Sequence, residues 1–178
     1  MIPLEYFTAQ NVYFIRQGIS VLEILDDETY ACNGHEHFSS GIGRHFRHVL
    51  DLYSCFTNCE NCRIDYDARN RNPRIESDRT FAISEAHRII DSIQKRTVSA
   101  IDSGIEEIEV SSNEGENPSG VSPWCSSSIT RELQYLASHT VHHYALIALI
   151  YKLQGGKPPE DFGVAPSTLL YEADNPRS

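Results

Sequence analysis

His139 and His143 stand four residues apart inside RELQYLASHTVHHYALIALIYKLQ, residues 131–154, a run with no Pro and no Gly. One turn of an α-helix separates such a pair, so both imidazoles leave one face, about 6 Å apart along the axis. Neutral imidazole is the commonest protein ligand of transition metals, and two at this spacing supply half of a chelate. The chelate needs another ligand, and GIGRHFRHVLDLYSCF offers His45 and His48. His142 points almost directly away from the apolar side of its own helix, which suits a rim position better than a ligand. His35, His37 and His87 lack any supporting spacing and read as surface residues.

Four helical stretches must position these side chains. Apolar residues recur with helical period over about residues 4–25, 41–59, 77–97 and 128–154. Ser77-Asp78 supplies an N-cap for the third, and Ser128 or Thr130 for the fourth, which Gly155-Gly156 and Pro158-Pro159 end. In the fourth stretch Leu133, Leu136, Ala137, Thr140, Tyr144, Ile147 and Ala148 define the apolar axis, and His139 and His143 lie on its flank. In the second, Ile42, Phe46, Val49, Tyr53 and Phe56 form the axis, with His45, His48, Leu52, Cys55 and Cys59 on a similar flank. Two histidine-bearing flanks can therefore face each other. Periodicity alone does not choose between His45 and His48, although His45 lies nearer the apolar axis.

Between the second and third stretches, ENCRIDYDARNRNPRIES reads as too charged and turn-rich to be core. Residues 105–110 read as a short strand, SSNEGENPSG as a turn, and residues 124–127 as a return strand. The expected fold is all-α, a four-helix bundle with a long crossover and a short β-hairpin between its last two helices. One domain over 1–178 is expected, with the tail 157–178 docked through DFGVAPSTLLYEA.

The net charge of −10 repels phosphate backbones, which argues against nucleic-acid binding. No apolar run approaches a membrane span, and the first residues lack a secretory pattern, so a cytoplasmic protein is the expectation. Cys55, Cys59 and Cys62 form C-x3-C-x2-C without the second half of a zinc site, and read as reduced, structural thiols.

IGRHFRHVLDLY, the IDYDARNR connection, RELQYLASHTVHHYALI and FGVAPST together resemble the DinB/YfiT-like metalloenzyme superfamily, over nearly the whole chain. That family takes one histidine from its second helix, usually the later one of an HxxH-like element before apolar and acidic residues, and an HxxxH pair from its fourth. His48-Val49-Leu50-Asp51 fits that pattern and His45 does not. The resemblance thus implies His48, His139 and His143 as ligands of a divalent transition metal: zinc, nickel or iron. The ergothioneine-pathway sulfoxide synthases, which share the bundle, hold non-haem iron, so the metal stays open. Thiol-dependent transferases and isomerases using bacillithiol, mycothiol or glutathione are among the family's activities, and hydrolysis has also been proposed. The implied partner is a small-molecule substrate, such as a low-molecular-weight thiol, on a transferase or a hydrolase. A non-catalytic stress-response or dimerisation bundle is the rival.

Arg44, Arg47, Arg69 or Arg71 could receive an acidic thiol. Asp51 could orient an imidazole, but a solvent-side place beside Arg47 is the expectation for it. Asp65, Tyr66, Asp67, Arg69 and Arg71 read as a solvated loop, with a rim to the site as the alternative. The first helix carries surplus apolar residues, among them Tyr6, Phe7, Val12, Phe14, Ile15, Ile19, Leu22, Ile24 and Leu25. Together with the habit of the family, this predicts a homodimer that uses that helix.

Overall fold

A computed structural model describes residues 3–33, 39–111 and 123–175. In chain order its elements are α1 (Leu4–Ile24), a short α2 (Asp27–Ala31), α3 (Ile42–Thr57), β1 (Arg63–Asp65), a short α4 (Pro73–Ser77), α5 (Arg79–Ser103), β2 (Glu107–Ser111), β3 (Trp124–Ser128), α6 (Ile129–Leu153) and α7 (Pro166–Asp174). The protein is mostly helical, with one small sheet. The long helices α1 and α3 each pack against both α5 and α6, and α4 sits against α3.

The helix ends follow local chemistry. Asp78 accepts from the Phe81 amide at the start of α5, and Ser128 accepts from the Arg131 amide at the start of α6. The α5 helix runs six residues beyond the expected end near Thr97, because the next residue able to stop it is Gly104, which takes a left-handed φ of 65°. Every residue named above for the apolar axis of the fourth stretch is buried on α6.

The sheet departs from the sequence reading on one side. The expected hairpin is present: β2 pairs antiparallel with β3, Ile108 opposite Ser127 and Val110 opposite Cys125. Its turn lies mostly outside the described residues. The polar connection after α3 also contributes a strand, since β1 pairs parallel with β2 in the register Ile64 to Val110. There the charges mask a period of two: Arg63 and Asp65 are exposed, whereas Ile64 and Tyr66 are buried. The connection is therefore partly core.

Phe46, Tyr53 and Phe56 of α3, Ile89 and Ile93 of α5, and Leu133 and Ile147 of α6 are among the side chains most completely removed from water. Most of the apolar surplus of α1 is used inside the chain. Phe7, Val12, Phe14, Ile15, Ile19, Leu22 and Leu25 are buried, and Tyr6 and Ile24 stay exposed. The large apolar side chains that α1 leaves exposed are Tyr6, Tyr13 and Ile24.

Downstream of α6, Phe162 is buried and stacks on Tyr144 with ring centroids 4.6 Å apart. Gly163 follows at φ 76°, and a Cβ there would stand 2.3 Å from the Ala145 amide nitrogen. Only glycine allows the tail backbone to ride this closely on α6. The α7 helix itself buries no residue. No described helix is long and apolar enough to cross a membrane.

Candidate metal centre

The packing of α3 on α6 turns the two histidine flanks toward each other. His48 Nε2 lies 2.9 Å from His139 Nε2, and His143 Nε2 lies 3.0 Å from the same atom. Among the described residues these three histidines form a group able to hold a metal ion, with ligand atoms all within 4.8 Å of one another. Two nitrogens that share an ion at about 2.1 Å stand about 3.0 Å apart at a right angle and about 3.4 Å at the tetrahedral angle. The observed separations are of that size, so the donor set fits a divalent ion. All three residues are half-buried, so the cluster is partly open to solvent.

His45 also reaches the cluster, from its outer side. Its Nδ1 lies 2.9 Å from Nδ1 of His143, the ring nitrogen opposite the one that faces His139. Were His143 Nε2 to hold an ion, Nδ1 would keep the proton and donate it to His45, which would fix ring orientation and tautomer. Both histidines of α3 thus touch the pair on α6: His48 belongs to the group that could hold an ion, and His45 contacts His143 from outside it. His142 is exposed, with its ring 5.3 Å from that of His143, and does not join the three. His87 is exposed as expected, whereas His35 and His37 lie outside the described residues.

The connection between β1 and α4 covers the other side of His48. Arg69 Nη1 stands 2.9 Å from His48 Nδ1, so this loop reaches the centre and is no mere solvated segment. Asp51 is not on the solvent side: it is buried, and it accepts a hydrogen bond from the Arg71 backbone. Burial raises its pKa, against the lowering pull of Arg47, Arg69 and Arg71. Asp51 thus anchors the loop that delivers Arg69, and Arg69 occupies the His48 nitrogen that an orienting carboxylate would have used. Arg47 is tied to Glu76 at 2.8 Å, while Arg44 and Arg71 are exposed.

No family model matches the chain, and no solved structure does. One curated relative is similar. It is FK506-binding protein 5 of Rhizopus delemar, 34% identical over 111 residues, which are 61% of this chain and 27% of that protein. The chain therefore spans about a quarter of that relative's length, and binding of FK506 is what the name says of that protein.

Burial and neighbouring charges favour the neutral forms of His45, His48 and His143. Burial, then the neighbouring His139, pushes His48 down to about 4 and His143 down to about 3. Burial also lowers His45. Neutral rings are the form that binds metal. The same shifts predict acid sensitivity of the metal-free fold. An unfolded histidine titrates near 6.5, so below that pH the unfolded chain takes up protons that the folded chain refuses. Stability should be complete above about pH 6.5 and fall as pH drops toward 4. Thermal melts in chelator across that range should show the decline, with a shallower slope in a His48→Gln, His143→Gln variant. Parallel slopes in the two proteins would refute this attribution.

One polar node beside the centre is absent from the sequence reading. Glu132 is buried on α6, where its carboxylate accepts from the Tyr66 hydroxyl at 2.7 Å and from Ser127 at 2.5 Å. It stands seven residues before His139, on the same stripe, and that spacing was the available signal. These bonds fasten the sheet to α6. Tyr66, Ser127, Glu132 and Tyr135 line a cavity of about 430 Å³, and Tyr135 packs toward His139 with ring centroids 5.5 Å apart. No disulfide joins any of the five cysteines, and burial pushes Cys55 up to about 11. That agrees with a structural role for Cys55.

Proposed function

We propose that this chain is a DinB/YfiT-like metal-dependent enzyme: a single four-helix-bundle domain that holds a divalent zinc, nickel or iron ion on His48, His139 and His143. The observation that carries the reading is the convergence of one histidine from α3 and two from α6 on a common point. The family resemblance implies these same three residues as ligands.

We assign it thiol-dependent S-transferase or isomerase chemistry. The group among the described residues that could hold a metal consists of three histidines and no carboxylate, and imidazole binds metal in its neutral form. When bound, the ion would supply an undiminished positive charge that lowers the pKa of a thiol or a water. Hydrolysis is the weaker alternative, because the nearby carboxylates have other partners. Glu132 is held by Tyr66 and Ser127, and Asp51 by the Arg71 backbone. Within the chain, His45 orients His143, Asp51 fixes the covering loop, and the cavity beside Tyr135 gives a small substrate room next to the centre.

The test is to load the protein with zinc, nickel or ferrous iron and to screen bacillithiol, mycothiol and glutathione against electrophiles. Metal-dependent consumption of one thiol, lost in chelator, is the expected result. A non-catalytic bundle with a structural ion predicts no turnover and a collapse of thermal stability on chelation. The enzyme reading predicts a fold that survives chelation, since the apolar core is built without the histidines. A homodimer through α1 belongs to the same proposal, with light scattering as its check. A monomer at micromolar concentration would remove the dimer and leave the centre standing.

A further inference from the structure

Arg69 and an ion at the three histidines make opposite demands on His48. A guanidinium can only donate hydrogen bonds, so the 2.9 Å contact from Arg69 Nη1 requires a lone pair on His48 Nδ1. A neutral His48 then carries its proton on Nε2 and donates it to His139 Nε2, 2.9 Å away. A metal ligand needs the reverse, with the lone pair on Nε2 and the proton on Nδ1. A Nδ1–H pointed at a guanidinium N–H is two donors facing each other. The added cation repels the guanidinium as well.

We propose that metal binding releases Arg69 from His48, and that the freed guanidinium and the ion then form a two-point seat for a carboxylate group of the substrate. The inference rests on the metal reading above and gives its substrate a charge. Three observations converge on it. Arg69 is half-buried beside the centre, where the nearby Asp51 carboxylate is shared with Arg47 and Arg71. Its Nε is buried and has no hydrogen-bond partner, so its present place leaves one donor of the fork unused. Of the other arginines near this end, Arg47 is paired with Glu76, and Arg44 and Arg71 face solvent. A planar fork binds a carboxylate in bidentate fashion, which a lysine at the same place would not do.

The signature is a pair of effects of opposite sign in one variant. Arg69→Gln removes the donor clash and offers a carbonyl to the His48 Nδ1–H, so zinc should bind about ten- to a hundredfold more tightly than to the wild type. The same variant, loaded with cobalt(II), should bind acetate about tenfold or more weakly, read from the visible spectrum. Arg69→Met, which offers no carbonyl, should still bind zinc more tightly than the wild type. Long-range ¹H–¹⁵N spectra should place the His48 proton on Nε2 in the metal-free wild type and on Nδ1 after zinc is added.

Equal zinc affinity in the wild type and both variants, or a Nδ1 proton without metal, would overturn the release. An acetate response unchanged by Arg69→Gln, or absent from the wild type because the guanidinium settles on Asp51, would overturn the seat. Zinc binding by the variants alone supports the release. Binding by none of the three proteins removes the metal reading and this inference together.

Discussion

Alanine at His139 or His143 should abolish stoichiometric divalent metal, whereas His142→Ala should keep most of it. The separation follows from where the three rings of one helical turn point. His139 and His143 present Nε2 atoms 3.0 Å apart toward α3, and His142 is exposed on the outer side. Loss of one of three ligands leaves a bidentate pair, which cannot hold an ion against dilution and competing water. His48→Ala belongs with the first group. His45→Ala should lie between, weakening metal about tenfold, because it removes the acceptor that orients His143 and leaves the ligand in place. Equilibrium dialysis with elemental analysis resolves these classes. Equal loss in the His139, His142 and His143 variants would sink the angular assignment on α6. Full retention in the His48 variant would move the third ligand elsewhere.

How much of this was legible in the sequence depends on which side chains obey a period. The helix pair that carries the histidines was legible because α3 and α6 have continuous 3.6-residue apolar stripes, and their flanks follow by rotation. The β1 strand was not. Three residues are too few to establish alternation, and Arg63 and Asp65 advertise a loop while Ile64 sits under them in the core. With β1 overlooked, burial of Tyr66 and its bond to Glu132 were out of reach, although both residues were in plain view.

The surroundings of His48 were illegible for a different reason. Asp51 stands three residues from His48, and local spacing suggested that the two might interact. Its actual partner, the Arg71 backbone, depends on the path of a loop that no period specifies. The same loop brings Arg69 onto His48 from twenty-one residues away. Helix-borne ligands were thus readable as a pattern, and loop-borne partners required the fold. Choosing His48 over His45 needed the family resemblance, because both histidines lie on the inward flank and each touches a ring of α6.

Asn11→Ala should destabilise the protein by about 2–4 kcal/mol and weaken metal binding, though the residue is far from any ligand in sequence. Asn11 is fully buried on α1 and uses its whole amide. Its Nδ2 donates to the Phe7 carbonyl at 2.8 Å and to the Leu133 carbonyl on α6 at 3.0 Å. Its Oδ1 accepts from the Tyr53 hydroxyl on α3 at 2.7 Å, and Thr140 of α6 donates to that same hydroxyl at 3.1 Å. Alanine leaves the Tyr53 hydroxyl without its acceptor in an apolar interior and opens a small cavity, and both effects cost stability. Tyr53 is five residues from His48 and Thr140 is next to His139, so this network sets the separation of the helices that bring the ligands together. Thr8→Ala is the control. Thr8 pairs with Thr97 at 2.7 Å, joining α1 to α5 and touching neither ligand helix there. It should lower the denaturation midpoint and leave zinc affinity unchanged. If Asn11→Ala and Thr8→Ala lowered zinc affinity alike, the effect would be general loosening rather than the spacing of α3 and α6.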